Sequence, residues 1–241
     1  MKDGFNHNKV GTLFIVATPI GNLQDITFRA LKTLESVDFI AAEDTRITSI
    51  LLKKYFPENY KQMNLKLFPF FEKNEQLKAE QILNILKNGK NVALVSDAGT
   101  PTVSDPGFKL VRECKAQGID VVSIPGPTGV ISALVSSGLP TDKFTFLGFP
   151  PLKPGHRLEL FKKVQESHKY VEATIIFYES PHKILKTLQD LKSVFGNIQI
   201  VVARELTKIH EKVERGSIQQ FIDSYSKKGV RGELTVLFSL K

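Results

Sequence analysis

Apolar residues in this chain gather in short uninterrupted runs separated by segments of helical period, and that alternation predicts an α/β protein. The runs Thr12–Ala17, Val37–Ala41, Leu65–Phe68, Asn91–Val95 and Asp120–Ile124 are crowded with Val, Ile, Leu and Phe and show little polar alternation. They read as strands buried on both faces, as in a parallel sheet. Helical spacing lies between them. Ile26, Ala30, Leu31 and Leu34 share one face, with Asp25 as the expected N-cap; Ile50, Leu51 and Leu52 follow Arg46. A helix is read from Glu75 to Leu86, closed by Asn88-Gly89, and another carries Phe108, Leu110, Val111 and Cys114.

Past Gly138-Leu139-Pro140-Thr141-Asp142 the character changes, so the domain boundary is placed there, giving domains 10–138 and 139–241. Strands are read over Phe144–Phe149, Ala173–Tyr178, Gln199–Ala203 and Glu233–Phe238. A basic helix with Arg157, Lys162 and Lys163 and a short helix over Ile218–Tyr225 lie among them. Strands spaced so closely suggest a mixed sheet with antiparallel pairs.

The strand ends carry the chemistry. Thr18-Pro19-Ile20-Gly21-Asn22, Ala42-Glu43-Asp44-Thr45-Arg46, the stretch from Ser96 to Gly107, and Pro125-Gly126-Pro127-Thr128-Gly129 all follow strands of the first half. Open α/β sheets place their ligands at that carboxyl edge. The Ser96–Gly107 loop exceeds a plain connection of about 2–6 residues, and it holds Asp97 and Asp105. Its first half, Asp97 to Thr100, reads as ligand-holding backbone, and Ser104-Asp105-Pro106-Gly107 as a helix start.

Composition narrows the chemistry. The single cysteine, Cys114, rules out an internal disulfide framework and a cysteine-rich zinc site. The five histidines are scattered without metal-ligand spacing, so no metal is expected. No G-x-G-x-x-G, G-x-x-x-x-G-K-[ST] or G-x-S-x-G follows a strand. Dinucleotide, P-loop and serine-hydrolase readings therefore have no support. What remains is backbone-rich loops suited to a nucleoside-like cofactor that brings its own reactive group. A net charge of +8, from 33 Lys+Arg against 25 Asp+Glu, favours a polyanionic partner. No apolar run reaches the roughly 20 residues of a membrane span. Residues 1–9 lack the apolar centre of a signal peptide and read as a tail, so the cytoplasm is the expected compartment.

Val16–Leu23, Ala42–Arg46, Ser96–Gly107, Pro125-Gly126-Pro127, Phe177–His182 and Ala203–Thr207, in this order, resemble the ribosomal RNA small-subunit methyltransferase I family of the tetrapyrrole-methylase superfamily. The resemblance runs from about Leu13 to Phe238. It implies a two-domain class III methyltransferase fold, with an N-terminal parallel sheet and a C-terminal mixed sheet. S-adenosylmethionine would be bound between the domains, in a homodimer. The implied reaction is 2′-O-methylation of a cytidine in the decoding region of 16S rRNA within the small subunit. Pro19, Ile20, Asp97, Ala98, Gly99, Thr100, Thr128, Gly129, Tyr178 and Leu206 match donor-binding positions. Glu43, Arg46 and Glu179 stand at strand ends as candidate catalytic groups, Glu43 as the base that takes the ribose proton. Arg46 and Arg204 are candidates for holding phosphates. The chain departs from the family at Phe71 and Lys73, where histidines are common, and at Lys183, which replaces an arginine. It also stops at Lys241, where family members often carry a further segment. Two other readings share these features: a methyltransferase of a tetrapyrrole-like small molecule, and a non-enzymatic rRNA-binding assembly factor.

Overall fold

A computed structural model describes residues 10–240; the tail expected over residues 1–9 lies outside the described residues. The chain divides into two compact units, up to Thr128 and from Gly129 onward.

In the first unit, strands β1 (Leu13–Val16), β2 (Phe39–Ala42), β3 (Leu67–Pro69), β4 (Val92–Val95) and β5 (Val121–Ile124) form one sheet in the order β3-β2-β4-β1-β5. Every pairing in it is parallel. The absence of polar alternation has its explanation in the packing. Leu13, Ile15, Ala41, Val92 and Leu94 face helices α4 (Glu75–Lys87) and α5 (Phe108–Ala116), where Ile82, Leu86, Leu110 and Cys114 meet them. Val16, Ile40, Ala42, Ala93 and Val95 face the other way, onto α1 (Phe28–Ser36), α2 (Thr45–Tyr55) and α3 (Tyr60–Leu65). With both faces covered, the central strands β1, β2 and β4 are apolar whichever way a position points, while edge strand β5 leaves Val122 and Ser123 exposed. Cys114 is buried in this core, and burial pushes its thiol up to about 11, so it is an inert packing residue.

The first helix starts later than its sequence suggests. Asp25 ends a short 3-10 turn capped by Asn22, and Thr27 caps α1, its hydroxyl accepting from the Ala30 N–H at 3.0 Å. Thr27 serves because its extended backbone turns the side-chain oxygen toward the open helix end.

The second unit begins with helix α6 (Gly129–Ser136). Its sheet holds β6 (Phe144–Phe146), β7 (Thr174–Glu179), β8 (Gln199–Arg204), β9 (Lys212–Ser217) and β10 (Leu234–Phe238), in the order β6-β7-β10-β8-β9. Only β6 and β7 are parallel; the other neighbours are antiparallel. Helices α7 (Pro154–His168), α8 (Ile184–Phe195) and α9 (Ile218–Lys228) cover one face through Phe161, Leu188 and Phe221. Helix α6 packs Val130, Ala133 and Leu134 on the opposite face, against Ile176, Val201 and Leu237. That contact explains why the division falls at Gly129 and not after Gly138. Strand β9 had no forecast, because Lys212–Ser217 is a polar edge strand that buries no side chain fully.

Candidate active site

In the first unit, sheet order decides which strand ends meet. β2 and β4 are hydrogen-bonded neighbours, so Glu43 and Asp44 emerge beside Ser96 and Asp97. The two ends then interlock. The Asp97 carboxylate accepts from the Asp44 N–H at 2.9 Å, and the Glu43 carboxylate accepts from the Asp97 N–H at 3.2 Å. Similar ties run to the loops after β1 and β5. Thr18 and Gly99 exchange both main-chain hydrogen bonds, at 2.8 and 3.0 Å. The Thr18 hydroxyl donates to the Ser96 carbonyl at 3.2 Å, and the Thr100 hydroxyl to the Pro127 carbonyl at 3.1 Å.

Gly99 sits at φ +82°, and a Cβ there would press on Ile20 Cγ2 at 3.3 Å and approach the Pro127 carbonyl. Further along the same loop, Thr102 and Ser104 hold φ of 74° and 67°. A left-handed backbone in residues with side chains costs on the order of 1–3 kcal/mol each, and it persists where surrounding structure over-determines it.

Charge concentrates in the same place. Burial pushes Asp105 up to about 6, with the Glu43 and Asp97 charges adding to the rise and the Ser96 hydroxyl opposing it. Burial also raises Glu43, helped by the nearby Asp97 and Asp44 charges and opposed by the Asp97 N–H. Asp97 is raised by burial and by Asp44. Asp44 goes the other way, down to about 2, because the Arg46 guanidinium hydrogen-bonds it. Arg46 Nε lies 3.0 and 3.1 Å from the two Asp44 oxygens, while the arginine side chain stays 87% exposed. A carboxylate lifted toward neutrality is suited to taking a proton, and an exposed guanidinium is open to exchange one anionic partner for another.

Residues 12–222 match the family model of tetrapyrrole (corrin/porphyrin) methylases. The chain is 45% identical to the ribosomal RNA small subunit methyltransferase I of Thermotoga maritima, across 96% of this chain and 100% of that one. Against the protein of the same name from Escherichia coli O157:H7 the identity is 46%, over 89% of this chain and 72% of the other. The chain belongs to the ribosomal RNA small subunit methyltransferase I family. The X-ray structure of a cobalt precorrin-4 methyltransferase shares its fold, with a TM-score of 0.62 at 20% identity, covering 94% of this chain and 93% of that one.

As a member of that family the chain is a methyltransferase that uses S-adenosylmethionine as methyl donor. The first unit fits such a group. Gly99 and Gly126 let these loops pack closely, since a Cβ would crowd Ile20 and Ala17, the latter at 3.0 Å. Pro19 and Ile20 are buried beside Gly99, and Thr128 follows the Pro127 carbonyl that Thr100 holds. Ala98 is exposed at the loop crest. A small zwitterionic nucleoside is held well by such backbone-lined loops.

The other residues expected from the sequence to meet the donor, Gly129, Tyr178 and Leu206, lie in the second unit. A Cβ on Gly129 would come within 3.0 Å of the Tyr178 hydroxyl oxygen, so the absent side chain lets α6 approach that ring. Tyr178 and Leu206 both pack against the cluster that α6 forms on the sheet. Glu179 is different. It is 3% exposed, and its oxygens accept from the Ser180 N–H at 2.8 Å and the Thr187 hydroxyl at 2.5 Å. Glu179 is thus held as an acceptor at the end of β7. Arg157 changes role: it is buried and ion-paired to Asp190 at 2.5 Å, so it adds nothing to the basic surface. Asp105 is the residue the sequence undervalued. Its proximity to Glu43 and Asp97 follows from the β2–β4 pairing, which no local pattern announces.

Proposed function

We propose that this chain methylates the ribose 2′-oxygen of a cytidine in the decoding region of 16S rRNA, acting as a cytoplasmic homodimer on the small subunit. The observation that carries the reading is the 45% identity to a ribosomal RNA small subunit methyltransferase I over that protein's whole length. The net charge of +8 agrees with an RNA substrate.

When bound, S-adenosylmethionine supplies an electrophilic methyl group on a sulfonium. The positions we assign to it are Pro19, Ile20, Asp97, Ala98, Gly99, Thr100 and Thr128 in the first unit, and Gly129, Tyr178 and Leu206 in the second. Glu43 takes the proton of the ribose hydroxyl. One of its oxygens is anchored by the Asp97 N–H, and burial, followed by the Asp97 and Asp44 charges, raises its proton affinity. Asp97 braces the opposite strand end by accepting from the Asp44 N–H. Arg46 receives a phosphate, giving up part of an exposed pair with Asp44 that holds it loosely.

Purified small subunits from a strain lacking this protein, incubated with the chain and labelled donor, test the reading directly. Label is expected on one cytidine ribose of 16S rRNA. Label on a base, on a small molecule, or nowhere overturns it.

A further inference from the structure

We propose that Phe149 is the platform on which a base of the RNA substrate stacks, an inference that rests on the rRNA reading above. An isolated exposed hydrophobic side chain is ordinary on a protein surface and needs no explanation. Phe149 is set apart by how it is mounted. Its ring is 55% exposed, yet it sits 5.5 Å from the Tyr178 ring, which in turn meets Phe146 edge-on at 4.9 Å. One side of the ring is pinned and the other is open.

The backbone around it is fixed from both directions. Gly148, at φ +65°, turns the chain out of β6 and accepts from the Tyr178 N–H at 2.9 Å. On the other side, Pro150 is buried, and the Arg157 guanidinium donates to the Pro151 and Leu152 carbonyls at 3.2 and 3.3 Å. The same guanidinium is ion-paired to Asp190, so the clamp is itself held. A rigid aromatic loses little freedom on binding, and single-stranded RNA is recognised largely by stacking splayed bases on such rings.

Charge selects the ligand. The segment from Lys143 to Leu158 carries no carboxylate between Asp142 and Glu159, the latter close enough to His156 to interact with it, and Lys153 and His156 are exposed on it. The net positive charge of this segment favours a phosphate backbone. Phe149 is therefore assigned to the RNA, and Arg157 is the residue that positions its loop.

The test uses the full chain and unmethylated small subunits. F149L keeps an apolar side chain of similar bulk and removes the π-face. F149W keeps the π-face and introduces the only tryptophan in a chain that has none. F149L should weaken subunit binding, measured at saturating donor, by about 5- to 150-fold, the usual range for one base–aromatic stack. F149W should bind about as tightly as the native chain. With donor already saturating, its emission should be quenched further by subunits and by a single-stranded cytidine-containing oligonucleotide. Native-like subunit binding by F149L overturns the proposal, as does an F149W emission that subunits leave unchanged at saturating donor. A change in oligomeric mass on F149L substitution also overturns it, because the ring would then be covered by a second copy. Binding is read apart from turnover: a chain that binds subunits through Phe149 without labelling them refutes only the methylation reading.

Discussion

Asp105→Asn should stabilise the protein at neutral pH, and the gain should vanish in acid. Asp105 is lifted from an ordinary value of 3.8 to about 6, first by burial and then by the Glu43 and Asp97 charges. A folded-state pKa above the unfolded one means that between about pH 4 and pH 6 the native chain holds more protons than the unfolded chain. Stability therefore falls as pH rises through that window, and the full penalty stands above it. The shift corresponds to about 3 kcal/mol at most. Partial solvent contact and screening reduce the expected effect to about 1–2 kcal/mol. Asparagine keeps the size of the side chain and an acceptor for the Ser96 hydroxyl while removing the charge. Urea unfolding at pH 7.5 should then give a free energy higher by about 1–2 kcal/mol, with a melting temperature up by roughly 2–8 °C. At pH 4, where the folded aspartate is protonated, native and variant chains should coincide. Equal stability at pH 7.5, or a gain that persists at pH 4, would refute the assignment of charge repulsion to this site.

Glu43→Gln should lower turnover by about 10²–10⁴-fold, as loss of a general base does, with donor affinity retained in calorimetry. In the native enzyme the acidic limb of the kcat/KM profile should lie above the usual glutamate range, because burial raises Glu43. Gly99→Ala should cost about 1–2 kcal/mol of stability, the price of a side chain in the left-handed region, and weaken donor binding about tenfold or more by pressing on Ile20. Normal donor affinity in that variant would remove the Gly99 surface from the donor site. Arg157→Met should destabilise by about 3 kcal/mol in urea, since Asp190 loses its buried partner and two loop carbonyls lose their donor.

The strands of the first unit were legible because a parallel sheet covered on both faces writes itself as continuous apolar runs. The loops were legible because Pro and Gly mark them. Strand β9 was not, since an edge strand in an antiparallel ladder needs no apolar face; its register with β8 comes from main-chain pairing alone. The boundary at Gly129 was hidden for a related reason. Helix α6 has a period but no label saying which sheet it covers, and only Val130, Ala133 and Leu134 against Ile176 and Leu237 decide it.

The candidate site divides along the same line. Asp97, Gly99 and Thr100 stand out in the sequence because their loop is long and glycine-bearing. Glu43 and Glu179 looked alike in sequence, each an acid at the end of an apolar strand. Partners separate them: Glu43 accepts from one N–H and is raised first by burial and then by the neighbouring carboxylates, whereas Glu179 is buried with a hydroxyl and an N–H on its two oxygens. The surroundings of Glu43 are set by what the neighbouring strand delivers. For Glu43 that strand is β4, which is adjacent in the sheet and more than 50 residues away along the chain, at a separation of 54 for the Asp97–Glu43 bond.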